Sequence, residues 1–446
     1  MSLSTPPSRV QKLQASLQAK AKSEPEFRFY SLWDKICRED VLAEAYRRCR
    51  ANRGAPGTDG ETFADIDSFG REPWLRNLRE ELRAGSYRSA PLLRVWIPKS
   101  NGKQRPLGIP TVRDRVVQMA VVLIIGAVFE VDLLPEQFAY RPGRDAKAAV
   151  RRVFFQVTQD GRREVVDADL SDYFNTIPHG PLIRCLSRRI SDGRVLSVIR
   201  MWLRSPVEER SEKGLKRTTE ARDRGRGTPQ GGVISPLLAN LYFRRFLLAW
   251  ERFGIGRRLD ATISNYADDF VICCRPGNGV AAMKEMRGLM ARLGLTVNED
   301  KTRLVRVPEE SFDFLGYTLG RFHGRAGKPY IGTRPSKKAI VRLRREIHDA
   351  TSSRWNYMPP QERVERLNRM LRGWTGYFNQ GPVLSVYRLI EDYTLKRFRR
   401  WLMRRRGQRG TGYRQYPDEY LFKTLGLFKL PRKPSDLANA KAGGTG

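Results

Sequence analysis

The sequence predicts an α+β fold that is followed by an all-α, strongly basic C-terminal region. Up to about residue 335, short apolar segments such as 165–170 and 264–274 alternate with longer stretches of helical periodicity. From Ser336 onward the sequence turns helical and rich in arginine. A length of 446 residues suits several domains. We therefore place the main domain boundary near residue 335.

The elements expected before this boundary follow from hydrophobic periodicity and turn residues. Residues 92–110 predict two strands around a turn at Ser100-Asn101-Gly102, and 208–226 predict a basic hairpin. Single strands are expected at 165–170, at LTVNEDKTRLVRV (295–307) and at SFDFLGYTLG (311–320). Helices are expected at 26–50, 74–84, 113–130, 144–159, 180–204, 233–251 and 280–293.

The charge balance predicts a polyanionic partner. The chain has 83 Lys and Arg against 48 Asp and Glu, a formal net charge of +35. Each phosphate that a basic side chain neutralises releases counterions, so nucleic acid is the expected partner. A merely soluble basic protein and a lipid-surface binder are the alternatives.

Several other classes of protein are disfavoured by composition. There are five cysteines without a C-x-x-C pair and only three histidines, which argues against a zinc site or a disulfide framework and favours a reducing cytoplasm. The N-terminus has no apolar signal core. The longest apolar run, 119–129, is too short to span a bilayer, so we expect a buried helix there and no membrane partner.

Three aspartates at strand ends suggest a catalytic centre. Asp169 ends the strand at 165–170, and Asp268 and Asp269 lie in the bend of a strand–turn–strand segment, SNYADDFVICC. Strands of one sheet can bring such ends together, and three converging carboxylates need cations. Mg²⁺ bound by carboxylates and substrate phosphates suits phosphoryl transfer. The simpler alternatives are a hairpin turn and a strand-end cap.

The C-terminal region predicts a helical bundle with a cationic surface. In RVERLNRMLRGWTGYF, apolar residues recur at spacings of three and four, whereas Arg363, Arg366, Arg369 and Arg372 lie largely off that stripe. A second helix pairs Tyr387, Ile390, Phe398 and Trp401 with Lys396, Arg397, Arg399, Arg400 and Arg404–Arg406. The one-signed charge favours binding of structured RNA or a duplex over an ordinary solvated face.

Five separated motifs resemble reverse transcriptases in order and spacing. They are DADLSDYF (167–174), GTPQGGVISPLLANLYF (227–243), NYADDF (265–270), LTVNEDKT (295–302) and FDFLGY (312–317). The resemblance covers roughly residues 50–330. GAPGTDG, PKSNGKQRPLGIPTVRDRVVQ, EQFAYRPGRDA and LRGWTGYF narrow it to bacterial group II intron-encoded reverse transcriptases and maturases.

This resemblance implies a right-hand polymerase with defined regions. Residues 1–49 would form an N-terminal extension and helix, 50–165 the fingers, 166–335 the palm, 336–406 the helical thumb or maturase domain X, and 407–446 a basic tail. No cysteine- and histidine-containing nuclease domain is recognisable. The chain therefore resembles the short members, which lack an endonuclease and take a DNA end made by other means as primer.

The resemblance also assigns the metal and nucleotide residues. Asp169 and Asp268 would be the main ligands of two Mg²⁺ ions, with Asp269 and the Leu170 carbonyl in support and Mn²⁺ as an alternative ion. Phe174 would exclude a 2′-hydroxyl, which favours dNTPs and argues against an RNA-dependent RNA polymerase; its alternative is a core residue. The other nucleotide contacts would be Lys99 and Arg105 on the triphosphate, Gln230 and Gly231 on nucleotide and template, and Lys301 on the leaving pyrophosphate.

Contacts to the primer and to other nucleic acid complete the assignment. Tyr266 would shape the primer side, and the strand at Phe314, Leu315 and Gly316 would position the primer end. Arg366, Arg369, Arg397 and Arg400 would bind nucleic acid in the thumb. The expected partners are a structured intron RNA, an RNA template with a DNA primer, and target DNA; the sequence leaves a homodimer open.

Two departures and several rival functions remain open at this stage. The resemblance expects Asp at Asn175 and often Lys-Gly at Ser171-Asp172. The resemblance implies an RNA-directed DNA polymerase that also binds its intron RNA to promote splicing and mobility by target-primed reverse transcription. The first alternative is a domesticated relative that acts in phage defence, DNA repair or a CRISPR system. A non-catalytic RNA-binding splicing factor is the rival from another class. The diversity-generating retroelements usually depart from TPQGG, which this chain keeps.

Overall fold

The computed structural model describes residues 8–98, 102, 104–211, 214–324 and 326–432. They form two compact units. Among the described residues, the first draws on 8–145, 168–272 and 280–303, and the second on 146–167, 273–279 and 304–432. The predicted division into fingers, palm, thumb and tail stays a prediction.

The helices expected from periodicity are present, but two of them are interrupted, and α1 at Arg9–Ser23 lies where no helix was expected. The stretches 26–50 and 180–204, each predicted as one helix, contain two helices each. The second break has a clear cause, because the buried Asp192 accepts hydrogen bonds from Arg194 N and Val195 N and so begins a new helix. The helices are α1 Arg9–Ser23, α2 Trp33–Ile36, α3 Glu39–Ala51, α4 Phe63–Phe69, α5 Arg71–Ala84, α6 Val112–Glu130, α7 Ala146–Thr158, α8 Tyr173–Thr176, α9 His179–Ser187, α10 Gly193–Leu203, α11 Glu220–Arg224, α12 Ser235–Arg252, α13 Ile255–Arg258, α14 Gly279–Arg292, α15 Lys337–Ala350, α16 Pro360–Tyr377 and α17 Leu384–Arg405.

The strands form three sheets. They are β1 Leu92–Pro98, β2 Gln104–Ile109, β3 Glu164–Asp169, β4 Val207–Ser211, β5 Gly214–Thr218, β6 Ala261–Tyr266, β7 Asp269–Cys274, β8 Arg303–Arg306, β9 Phe312–Phe314, β10 Tyr317–His323 and β11 Pro329–Pro335. The sheet orders are β2-β1-β4-β5, β6-β7-β3-β8 and β11-β10-β9.

The two predicted hairpins join in one sheet within the first unit. β1 and β2 pair antiparallel, with Leu93 opposite Ile109 and Pro98 opposite Gln104. β4 adds to β1 in parallel, and β5 returns antiparallel to β4. The sequence predicts each hairpin but not their union. Of the predicted turn, Ser100 and Asn101 lie outside the described residues.

The sheet β6-β7-β3-β8 carries the aspartates. Its two central strands are β3 and β7, which are neighbours. The buried β-branched residues are Val165 and Val166 in β3 and Val271 and Ile272 in β7, where Phe270 is buried beside them. Burial of this apolar ladder fixes the strand register, and with it the edge at which Asp169 and Asp269 emerge.

Helix α6 forms part of the core of the first unit. It is buried on most of its sides, as its apolar sequence predicts, and it packs against α1 and α3. Its N-cap is Thr111, whose side chain accepts a hydrogen bond from Asp114 N. Among the described residues, no helix combines the length and the apolar character that crossing a bilayer requires.

In the second unit, helices α15, α16 and α17 enclose a common apolar core. Leu343, Leu367, Leu371 and Trp401 belong to it, and so do residues beyond position 406. Those residues are Tyr416, Leu421, Leu427 and Leu430, all buried. The segment predicted as a tail therefore packs as part of the helical core at least as far as residue 430.

Two arginines of this bundle lie where the sequence does not place them, because Arg363 and Arg399 were both predicted on the cationic surface and both are buried. Arg363 was expected off the apolar stripe, but it is only 4% exposed. Its guanidinium lies 4.8 Å from the Trp355 ring centre and donates to the Ala350 carbonyl at 3.4 Å. Burial lowers the pKa of Arg363. The cation–π contact with Trp355 offsets part of the free-energy cost of desolvating the Arg363 guanidinium.

Candidate active site

Asp169 ends β3 between two backbone contacts to the segment 296–298. The Asp169 carbonyl accepts a hydrogen bond from Asn298 N at 2.8 Å, and Ser171 N donates to the Thr296 carbonyl at 2.9 Å. Leu170 forms a bridge with Val297 and has a buried side chain. LTVNEDKTRLVRV is thus not one strand as predicted: its first half makes this bridge and a turn, and β8 begins only at Arg303.

The Asp169 carboxylate pairs with Lys301. Oδ2 of Asp169 accepts hydrogen bonds from Lys301 Nζ at 2.8 Å and from Asn298 Nδ2 at 3.1 Å. The Lys301 side chain is 63% exposed and that of Asp169 only 17%. The hydrogen bond with Asp169 is the main cause that raises the pKa of Lys301, and the charges of Asp269 and Asp268 raise it further. All three carboxylates therefore act on one ammonium group.

Asp268 and Asp269 lie at the tight turn between β6 and β7, as predicted. Ala267 has a positive φ of 59°, which lets the chain reverse within two residues. Asp269 is exposed, whereas Asp268 and Tyr266 are partly buried. β7 and β3 are neighbours, and Cys274 Sγ at the end of β7 donates to Glu164 O at the start of β3 at 3.2 Å, so the two strands run antiparallel. The turn and Asp169 therefore lie at the same end of the sheet.

A buried amide that the sequence analysis missed holds this turn. Asn265 is fully buried, and its Nδ2 donates to the Ala267 carbonyl at 2.8 Å. Its backbone pairs with the EQFAY segment: Asn265 N donates to Glu136 O, and Phe138 N donates to Asn265 O. Gln137, also fully buried, donates to the Asn240 carbonyl at 2.8 Å. An amide side chain two residues before the turn, in a strand whose side chains are mostly buried, was the available signal.

We expect Asn265→Asp to destabilise the turn. The aspartate has the same shape but has no amide to donate to Ala267 O, and it brings a charge into a buried site. The expected loss is about 2 kcal/mol or more in the free energy of unfolding, measured by urea denaturation. Asn278→Asp, at a partly exposed position after β7, is the matched control. Equal stability of both variants would contradict the bracing role of Asn265.

The residues of this centre fit a divalent cation by donor type. Carboxylate oxygens are the ligands that Mg²⁺ prefers, and the Lys301 ammonium on Asp169 demonstrates that the position attracts positive charge. Within the part of the chain that the structure describes, no group of three or more His, Cys, Asp or Glu side chains is close enough to hold a metal ion. The three aspartates nevertheless lie near enough to Lys301 for each of them to raise its pKa, and their binding of metal ions stays a prediction. The Lys301 ammonium and the exposure of Asp269 reduce the repulsion among the carboxylates.

The predicted nucleotide contacts lie partly together. Arg105 Nε donates to Gln230 Oε1 at 2.9 Å, and Gly108 N donates to the Gln230 carbonyl at 2.7 Å, so β2 is tied to the TPQGG loop. Gly231 has φ +113°, and a Cβ there would lie 2.8 Å from the Gly108 carbonyl oxygen, so only glycine fits without displacement. Lys99 lies outside the described residues.

Phe174 is tied to the same loop. It lies in α8, is 8% exposed, and packs edge-on against Tyr173 with ring centres 5.8 Å apart. Its carbonyl accepts a hydrogen bond from Thr228 N at 2.7 Å. The ring is therefore rigidly held, as both a gate against a 2′-hydroxyl and a core position require.

The FLG segment is a turn rather than the predicted strand. Phe314 ends β9 and pairs with Tyr317 of β10, which leaves Leu315 and Gly316 as a two-residue turn with φ of 49° and 80°. LRGWTGYF packs directly on it: Tyr377 Oη donates to the Leu315 carbonyl at 2.7 Å. Positive φ at both positions is incompatible with a continuous strand.

We expect Gly316→Ala to destabilise the second unit. Its Cβ would meet the Phe378 ring at 3.2 Å with a backbone at φ +80°. Gly327→Ala is the matched control, because Gly327 has φ +71° and no atom within 4 Å of its Cβ position. Both variants share the backbone cost of about 1 kcal/mol, and only Gly316→Ala adds the contact with Phe378. Equal melting temperatures of the two variants would contradict this packing.

Comparison with known proteins identifies the family. Residues 97–319 match the family described as reverse transcriptase (RNA-dependent DNA polymerase). Residues 340–417 match the group II intron, maturase-specific domain. The chain belongs to the group II intron reverse transcriptase family. The paired domains support a reverse transcriptase and maturase function in intron splicing and mobility.

Individual relatives agree with this family. Protein YkfC of Escherichia coli is 34% identical over an alignment of 366 residues that covers 74% of this chain and 93% of that protein. The group II intron-encoded protein LtrA of Lactococcus lactis is 31% identical over 215 residues, 48% of this chain and 34% of LtrA. A 91 kDa protein in the cob intron of Schizosaccharomyces pombe is 29% identical, over 81% of this chain and 53% of that protein. The chain thus spans well under two thirds of the latter two relatives.

The arginines predicted to bind nucleic acid in the maturase-specific domain differ in their environments. Arg366, Arg369 and Arg400 are exposed. Arg397 is half-buried and donates through Nε to Thr351 Oγ1 at 3.2 Å, and burial lowers its pKa. Arg397 therefore connects α17 to the end of α15, and the exposed three present the charge of this face to solvent.

Proposed function

We propose that the chain is an RNA-directed DNA polymerase that uses two Mg²⁺ ions. One observation carries this proposal: β3 and β7 are neighbours, Asp169 ends the first, and the Asp268-Asp269 turn begins the second. Asp169, Asp268 and Asp269 would hold the ions, with the Leu170 carbonyl in support. When bound, such ions activate the primer 3′ oxygen and neutralise the leaving phosphate charge.

The chain's own residues would bind and orient the incoming dNTP. Arg105 offers a fork of donors that suits the triphosphate. Phe174 is held in one place by Tyr173 and Thr228, so its ring would exclude a 2′-hydroxyl. Lys301, which is paired with Asp169, would protonate the leaving pyrophosphate or neutralise its negative charge. An RNA template paired with a DNA primer completes the substrate.

Primer extension tests this proposal. The purified protein should extend a DNA primer on a defined RNA template with dNTPs and Mg²⁺, and the product should be complementary to the template. Chelation of divalent ions should stop the reaction, and added Mg²⁺ should restore it. Failure to extend under conditions where the template–primer is bound would favour the non-catalytic splicing factor instead.

The RNA partner would also contact a second basic region in the first unit. Around α9 and α12 lies a cavity of about 750 Å³ that we call the arginine cavity. Six arginines line it, with Asp132 and Glu26 as the acidic members: Arg28, Arg184, Arg188, Arg189, Arg244 and Arg245. Arg189 and Arg244 bind backbone carbonyls and Asp132, whereas Arg184 and Arg188 are exposed. We propose that the exposed pair contacts phosphates of a structured intron RNA, in a bacterial cytoplasm where target DNA is also present.

Charge reversal in the arginine cavity tests the RNA contact. Arg184→Glu combined with Arg188→Glu should weaken binding of a structured group II intron RNA at least about tenfold and reduce its salt dependence, because fewer counterions are released. Arg9→Glu combined with Arg76→Glu changes the net charge equally at exposed sites elsewhere and serves as control. Equal losses in both double variants would show a general charge effect and contradict a local contact.

A further inference from the structure

Asp172 occupies an unusual conformation beside the predicted nucleotide site. It precedes α8 with φ 50° and ψ 43°, in the left-handed region. Its carboxylate accepts hydrogen bonds from Asn175 Nδ2 at 2.9 Å to Oδ1 and 3.0 Å to Oδ2. Oδ1 also accepts a hydrogen bond from Gln230 Nε2 at 3.1 Å. Both carboxylate oxygens therefore accept hydrogen bonds from neighbouring side-chain amides.

Gln230 connects Asp172 to Arg105. The Gln230 amide donates to Asp172 through Nε2 and accepts from Arg105 Nε at 2.9 Å through Oε1. A rotated amide would place its NH₂ group against the guanidinium and its oxygen against the carboxylate, and both contacts would be repulsive. The Gly108–Gln230 backbone hydrogen bond fixes the loop itself. Asp172 thus selects the single amide orientation that can hold Arg105.

We propose that Asp172 is a positioning residue that orients Gln230, and through it Arg105, for the incoming dNTP. This inference rests on the proposed polymerase function and extends it to a residue outside the proposed metal ligands and nucleotide contacts. In the absence of nucleotide, the series of hydrogen bonds from Asn175 through Asp172 and Gln230 holds the exposed Arg105 side chain, which would otherwise adopt many rotamers. A preordered Arg105 loses less conformational entropy when the triphosphate binds, so the benefit should fall on nucleotide affinity.

Asn175 donates the other hydrogen bonds that hold the Asp172 carboxylate. Its amide approaches both oxygens of Asp172, which only a donor can do favourably. A carboxylate at position 175 would face the Asp172 carboxylate at the same distance, and the like charges would drive Asp172 away from Gln230. The effect of such a substitution should therefore depend on whether residue 172 is an aspartate.

Steady-state incorporation of single dNTPs tests the positioning role. Asp172→Ala should raise the KM for dNTP about tenfold and change kcat much less, because charge-assisted hydrogen bonds that order the binding site are lost. Asp172→Asn keeps an oxygen for Gln230 and should recover part of the affinity. Asn175→Asp should raise the KM in the wild-type background but not in Asp172→Ala. Asp34→Ala, an exposed aspartate of α2, is the control and should leave both constants unchanged.

The possible results separate the positioning role from its alternatives. An unchanged KM in Asp172→Ala, or additive effects of Asp172→Ala and Asn175→Asp, would overturn the inference while the polymerase proposal stands. Parallel losses in kcat, RNA binding and melting temperature would also overturn it, because they indicate a general structural defect. No incorporation by the wild-type protein would contradict the polymerase function itself.

Discussion

Asp268→Ala is expected to abolish primer extension while binding of the RNA template survives. The substitution removes one of the two main carboxylates proposed to hold the metal ions, and the rate should fall at least about a thousandfold, or about 4 kcal/mol of transition-state stabilisation. Asp268 is only partly buried in a turn, so its loss leaves no core cavity. Single-turnover extension at saturating dNTP measures the effect.

The fold of this variant and its RNA affinity need to be measured beside its activity. Asn265, which holds the turn from within the sheet, is unchanged, so the melting temperature should stay close to that of the wild type. Asp34→Ala, which removes an exposed aspartate of α2, again serves as the control. Extension by Asp268→Ala at the wild-type rate would contradict the metal-site assignment.

A smaller residue at position 174 is expected to admit ribonucleotides. Phe174→Val should lower the preference for dNTPs over NTPs at least about tenfold, since the ring no longer clashes with a 2′-hydroxyl. Valine is preferable to alanine because Phe174 is almost fully buried, and truncation of a buried Phe to Ala costs about 3–5 kcal/mol. The measurement is the ratio of kcat/KM for matched dNTP and NTP.

Two further variants separate the gate from the core. Phe174→Tyr keeps the ring and should keep the preference for dNTPs. Phe246→Val truncates a fully buried aromatic residue of α12 and should lower stability without changing sugar preference. Unchanged discrimination in Phe174→Val would leave Phe174 as a core residue only.

Local sequence patterns predicted the elements of the site because their signals are local. Period-two apolar runs and turn residues placed Asp268 and Asp269 between β6 and β7 and gave the β1–β2 hairpin. Asp169 at the end of β3 followed in the same way. The left-handed conformation of Asp172 also agrees with the glycine that the resemblance expects there, since glycine adopts it without strain.

Contacts between distant segments were not predictable from periodicity. Three contacts join residues far apart in sequence. They are the parallel pairing of β1 with β4, the Lys301–Asp169 ion pair, and the backbone hydrogen bonds between Asn265 and the EQFAY segment. Helical periodicity also predicted Arg363 on the exposed side of its helix. The guanidinium is buried instead, and its contact with the Trp355 ring offsets part of the cost of burial, which periodicity does not take into account. The FLG segment was predicted as a strand because the only sequence signal for its positive φ values is a single glycine, Gly316.

The most direct measurement of the central claim is single-nucleotide incorporation on RNA templates that differ only in the base opposite the next position. With Mg²⁺ present, the wild-type protein should add the complementary dNTP on each of the four templates and should discriminate against the matching NTP. Asp268→Ala, at equal occupancy by template–primer, should add none. Absence of templated incorporation by the wild-type protein on a bound template–primer would contradict the account.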